Sequence, residues 1–316
     1  MAARAKKLIV APLAAVVLLC GADLTGSAPA AGLTPPAQTR ERTAVRRIVS
    51  LVPALTEMLF AVGAGSQIVG VSSYDTFPPE AQSRPRVGAL LDPDVERILS
   101  LKPDLVLVYS SQTDLEGQFT RAGIRVYTYR HAGIANVLET IRELGALSGH
   151  KDDSDRLTVQ LQSQLDGIRA RVGGRARPRT MLVMGRDAMA LRGVYASGGV
   201  GFLHELLDVA GGENVFADVK REGVQPSNEI MLTRAPQVVI ELHAGQDPTP
   251  DVLRKERSVW SLLSSIPAVR NGQVHLLYGD YLMAPGPRLA RAANALARVL
   301  HPGAFVEADL KVRPYN

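Results

Sequence analysis

The sequence predicts an α/β protein of two Rossmann-like lobes with mainly parallel sheets, joined by one long backbone helix. Three observations carry this. Strand and helix patterns alternate along the chain from Arg46 onward. The unit "DVERILSLKPDLVLV" at 94–108 is matched by "SNEIMLTRAPQVVIE" at 227–241, with Glu, Leu and Pro in the same places. Between the copies lies one amphipathic stretch, Asp152–Val172.

In the first half, "RIVSLV" (Arg47–Val52) is β-rich and "ALTEMLFAVGA" (Ala54–Ala64) has helical spacing through Leu55, Met58, Leu59 and Val62. "QIVGVS" (Gln67–Ser72) is β again. The repeated unit follows, then a helix near 113–122, the strand "GIRVYTY" (Gly123–Tyr129) and a helix over 134–148. In Asp152–Val172 the residues Leu157, Leu161, Leu165, Ile168 and Val172 form one stripe, weakened at Gly167 and ended by "GGRARP". At 1.5 Å per residue such a helix is about 30 Å long, enough to cross from one lobe to another. The alternation then resumes with "TMLVMG" (Thr180–Gly185), the helix "GFLHELLDVAGG" (Gly201–Gly212), the second unit, "QVHLLYG" (Gln273–Gly279) and a helix over Pro287–Leu300. The organisation expected is an N-terminal lobe at 45–150, a linking helix at 151–173, a C-terminal lobe at 174–303 and a tail at 304–316, with length enough for two cores.

The first thirty residues read as an export signal. Arg4, Lys6 and Lys7 precede the apolar run Leu8–Cys20, and Ala28-Pro29-Ala30 is a small-x-small cleavage site. Pro12 interrupts the run, which is shorter than the roughly 20 residues of a spanning helix. Cys20, the only cysteine, stands where a lipoprotein signal places its acylated residue, although Leu19 before it is bulky. Cleavage after Ala30 leaves a chain without thiols, 33 basic and 30 acidic residues, and a flexible leader at 31–44. That near-neutral balance gives no ground for a nucleic-acid partner.

Within the repeated unit, Pro103 and Pro236 end a short helix, and "DLVLV" and "QVVIE" enter the sheet. With Asp94 or Ser227 as N-cap, Glu96 and Glu229 fall in a first helical turn, where the macrodipole alone accommodates an acid. Their equivalent placement adds a second reading. On two lobes related by pseudo-twofold symmetry they form a pair of prongs able to register a partner with matching cations.

Other chemistries find little support. "HELLD" (His204–Asp208) has Asp where a zinc-protease helix carries its second His, and the six histidines are scattered, so no metal site is expected. "SGGVGF" (Ser197–Phe202) could bind an anion at its helix start but lacks the third Gly of a dinucleotide fingerprint. No GxSxG elbow, P-loop or nucleophilic cysteine is present in the mature chain. An exported metal-dependent hydrolase is the rival class; a binding role in the cleft between the lobes fits better.

The strings "RRIVSLVPALTEMLFAVGA", "GVSSYDTFPPE", "VERILSLKPDLVL", "AGGENVFAD", "SNEIMLTRAPQVVI" and "GPRL", in this order, resemble the substrate-binding proteins of ABC importers for cobalamin, iron-siderophores and haem. The resemblance covers residues 46–301 and implies a monomer that docks on a permease dimer through Glu96 and Glu229. Corrinoid binders look nearest, which implies ligand contacts from Tyr109 and Asp280; Tyr74 and Tyr281 are further candidates on loops. Two departures stand out: Leu90 where cobalamin binders have tryptophan, and Ala284 where they have arginine. Arg288 resembles the propionate-binding arginine of the haem branch, for which Tyr74, Tyr109 or His131 could supply an axial ligand. Cobalamin, or haem or a ferric siderophore, would be cargo; no resident cofactor is expected.

Overall fold

The computed structural model describes residues 44–305. The expected signal segment with Cys20, the leader up to residue 43 and the tail from residue 306 lie outside the described residues.

Two sheets form the frame. In the first, β1 (Ile48–Ser50), β2 (Ile68–Val71), β3 (Leu105–Tyr109) and β4 (Arg125–Tyr129) run parallel in the order β2-β1-β3-β4. Helices α1 (Pro53–Ala61), α2 (Val95–Ser100) and α3 (Thr113–Arg121) connect them, and α4 (Ile134–Ser148) follows β4. Gly149, in the left-handed region at φ 81°, caps α4 and lets the chain turn at once into α5 (Lys151–Val172).

The second sheet repeats the scheme with a change at one edge. The strands β5 (Arg179–Gly185), β9 (Val238–His243) and β10 (Val274–Tyr278) are parallel, as β1, β3 and β4 are. Where the first sheet has β2, the edge of β5 is shared. β7 (Glu213–Asn214) pairs parallel with its start, while β6 (Tyr195–Ser197) pairs antiparallel with its end and carries antiparallel β8 (Gly223–Val224). The helices here are α6 (Phe202–Val209), α7 (Asn228–Arg234), α8 (Pro250–Ser258), α9 (Pro267–Arg270) and α10 (Leu289–Leu300).

The central strands are buried on both faces, which explains their continuous apolar sequences. Along β3, Leu105 and Leu107 enter one core while Val106 and Val108 enter another, because successive side chains point to opposite faces. β5 and β9 divide likewise, with Leu182 and Ile240 on one side and Met181, Val183 and Val239 on the other. The inward faces of both sheets meet in a single central core along the α5 stripe of Leu157, Leu161, Leu165, Ile168 and Val172. One shared core joins the halves, and a satellite core covers the outer face of each sheet.

The repeated unit is built the same way twice. Asp94 accepts from Arg97 N and Ser227 from Ile230 N as N-caps of α2 and α7. Lys102 and Ala235, each directly before the proline, hold positive φ of 47° and 45°. Arg47 donates to Leu101 O at 2.6 Å and Arg179 to Arg234 O at 2.7 Å, satisfying helix-end carbonyls. Asp104 accepts from Arg47 N, and Gln237 from Arg179 N.

Candidate functional site

The strand C-termini of the two sheets face each other, as the contacts across the chain's two halves show. The α4 start receives Glu205 of α6, whose Oε2 accepts from Ile134 N at 2.6 Å. His131, just after β4, meets Phe202 edge-on with ring centroids 5.9 Å apart. Arg288, just before α10, donates from Nε and Nη2 to the two Glu57 oxygens of α1 at 2.8 and 2.6 Å. Glu57, His131 and Ile134 each follow a parallel strand of the first sheet and Arg288 follows β10 of the second, the ends at which parallel α/β sheets place their ligands.

One wall comes from the first sheet. Tyr109 ends β3 and tilts against Tyr129, the last residue of β4, at 5.7 Å between centroids; burial raises both phenols. Tyr129 O–H lies 3.2 Å from His131 Nδ1. Gln112 ties this strand end to the neighbouring loop, accepting from Tyr109 N and donating to Leu90 O, each at 2.9 Å. On that loop Leu91 is 94% exposed, and Tyr74, after β2, is 71% exposed. Together Tyr74, Leu90, Leu91 and Tyr109 supply an apolar rim.

The opposite wall ends in residues that sequence reasoning missed. His243 closes β9 and stacks on Tyr278 of β10 at 4.6 Å and 13°. Its Nε2 lies 3.0 Å from Glu241 Oε2, and the buried Glu241 also accepts from Arg186 and Trp260. Burial works against the Glu241 charge, but these hydrogen bonds hold the carboxyl below its ordinary range. A carboxylate behind an imidazole fixes its tautomer and orientation, the arrangement that suits a metal ligand. The signal available in sequence was only "ELH" at a strand end.

Between the walls lies an acidic floor. Arg288 stands over the Phe77 ring at 4.0 Å and is held by Glu57. Burial raises the Glu57 carboxyl despite Arg288, and the nearby Asp280 charge adds to the shift. Asp75 is buried with no hydrogen-bond partner for either oxygen. Burial pushes its carboxyl up to about 6, offset in part by Thr56, Ser72 and Arg86.

The structure thus places the expected ligand residues unevenly. Arg288 is engaged in an ion pair across the halves, and Arg291 covers one face of Tyr281 at 4.0 Å. Asp280 braces two loops by accepting from Gly245 N at 2.7 Å. Tyr109 is joined to the His131 cluster, and Tyr74 stands free on the rim. Glu96 and Glu229 are exposed on α2 and α7, away from the floor, and Ser227 and the helix start hold Glu229 below its ordinary range.

Other motifs resolve into structure. In "HELLD", His204 lies near Asn214, Glu205 caps α4 and Asp208 pairs with Arg177, so the three diverge. In "SGGVGF", Gly198 and Gly199 spend their N–H groups on Glu222 O and Val219 O, so these two glycines hold the loop ahead of α6. An open groove of about 690 Å³ runs between α4 and α5, lined by Leu138, Val159, Asp166 and Arg169, and reaches the Ile134–Glu205 contact at the start of α4.

A model of the family described as periplasmic binding protein matches residues 48–281. The chain belongs to this family. It is 33% identical over 259 residues to the vitamin B12-binding protein of Salmonella typhimurium, covering 81% of this chain and 91% of that one. An uncharacterized ABC transporter substrate-binding lipoprotein of Bacillus subtilis is 29% identical over 269 residues, 83% of this chain and 82% of its own. Among solved structures, the periplasmic vitamin B12-binding protein of Vibrio cholerae matches with a TM-score of 0.70 at 23% identity, over 83% of this chain and 99% of that one. A periplasmic haem-binding protein of Pseudomonas aeruginosa matches at 0.67 and 25%, over 83% and 94%. The two-lobed fold and the family expected from sequence are those found, and this periplasmic binding protein is a substrate-binding component of ABC transport rather than an enzyme.

Proposed function

We propose that the protein captures a corrinoid such as cobalamin between its lobes and delivers it to an ABC importer, docking on the permease dimer through Glu96 and Glu229. The relatives named for vitamin B12 support this, and so does the aromatic and apolar rim, which suits a broad macrocycle face. The observation that carries the ligand class is the floor. Its arginine is already paired with Glu57, while Asp75 and Asp280 add negative charge. A corrinoid presents amide groups that can donate to such carboxylates; a haem presents two carboxylates that they repel.

His243 favours a second reading. Oriented by Glu241 and stacked on Tyr278, it could ligate the metal of a haem or ferric chelate, with Arg288 exchanging Glu57 for a propionate. Export by residues 1–30, with lipid attachment at Cys20 as the other outcome, and a monomeric state belong to the same proposal.

Purified protein titrated in parallel with cyanocobalamin, haemin and ferric siderophore tests it, read in the visible spectrum of each ligand and in Trp260 fluorescence. Cobalamin is expected to bind tightest. Saturable haemin binding with a shifted Soret band, and none by cobalamin, would replace the corrinoid by the haem reading.

A further inference from the structure

The two copies of the repeated unit are identical at four positions: Glu96 and Glu229, Leu99 and Leu232, Pro103 and Pro236, Val106 and Val239. The proline and valine pairs are buried where helix passes into strand, so the fold accounts for them. The other two pairs are on the surface. Leu99 is 41% exposed and Leu232 39%, each three residues after its glutamate and so on the same face of its helix. The neighbours Ile98 and Met231 are fully buried and already anchor the helices. One exposed leucine is ordinary. Matched exposure at matched positions, in units that have diverged elsewhere, requires a cause the fold does not supply.

We infer that each docking helix presents an apolar knob beside its carboxylate, and that the transporter sets an apolar socket next to a cation in each of its two halves. This deepens the docking reading and rests on it. The presentation is rigid at both sites: the same arginine bond to the helix end, a positive φ at the same position and the same proline hold α2 and α7. The surroundings differ in one respect. Exposed Ile230 stands where the first unit has Arg97, so the second knob is part of a wider apolar patch. Charge steers and registers such an encounter and is screened by salt, whereas burial of the leucines persists at high salt.

The test measures binding of the full chain to the purified ABC importer of its own source organism, in phosphatidylglycerol nanodiscs, across a range of sodium chloride. Leu99→Gln with Leu232→Gln keeps helix propensity while removing the apolar ends. That pair should weaken binding roughly tenfold per site, with the salt slope unchanged. Glu96→Ala with Glu229→Ala should weaken binding at low salt and flatten the slope. Circular dichroism and ligand affinity should be unchanged in both, and Leu99→Met with Leu232→Met should restore binding. If the glutamate pair matters and the leucine pair does not, the knob inference falls and the docking reading stands. If neither matters, the docking reading falls with it.

Discussion

Asp75 is a carboxyl that the fold buries with only weak compensation from Thr56, Ser72 and Arg86, so its ionised form costs free energy in the native state. Its native value of about 6 lies above the ordinary 3.8. Between the two the native state holds the proton more firmly than the unfolded chain, so this group's contribution falls as pH rises through that window, with the full cost present above it. Asp75→Asn should therefore be the more stable protein at pH 8, by on the order of 3 kcal/mol at most, with the difference closing as pH falls toward 4. Urea unfolding midpoints of both proteins across that range check it; a gap independent of pH would mean another cause. At this scale the sequence was only partly legible. Tyr109 and Arg288 could be singled out because motifs surround them. Glu57, Asp75 and His243 could not, since each owes its environment to residues distant in the chain, as in the pairing of Glu57 with Arg288.

Among the elements, α5 was readable because its apolar stripe supplies most of its packing, with only Ser154 and Thr158 buried beside it. Its weak point was readable too. Gly167 is exposed in mid-helix, and nothing lies within 4 Å of where a Cβ would stand. Gly167→Ala should raise stability by about 0.5–1 kcal/mol through helix propensity alone, measured by thermal or urea unfolding, with ligand affinity unchanged. No such pattern announced α8, which buries none of its residues and is held by Pro250 at its start. β6 was missed for a different reason: three residues before a Gly-rich run carry too little period to be told from a loop, and their partner strand β8 is supplied from farther along the chain.

For the molecule as a whole, the shared core and the three contacts across its halves oppose a large hinge motion. Opening the cleft widely would expose the α5 stripe as well as break the Glu57–Arg288 pair. Spin labels on α3 and α8 should report one interlobe distance distribution that shifts only slightly when ligand binds. A separate second peak would contradict this. The parallel lobes were legible because duplicated helix–strand units force them; the fusion of their cores was not, because periodicity identifies an apolar face without naming what covers it.

The shared core also has a consequence for synthesis. The central cluster is completed by Leu289, Ala293, Leu296 and Leu300 of α10, which comes near the end of the chain. A ribosome delivers the N-terminal half first, so a nascent chain can form β1–β4 and pack α4 on α5, yet must leave part of the α5 stripe uncovered until α10 emerges. The central core therefore closes only once α10 is made, and until then the unfinished half is the natural client of a chaperone.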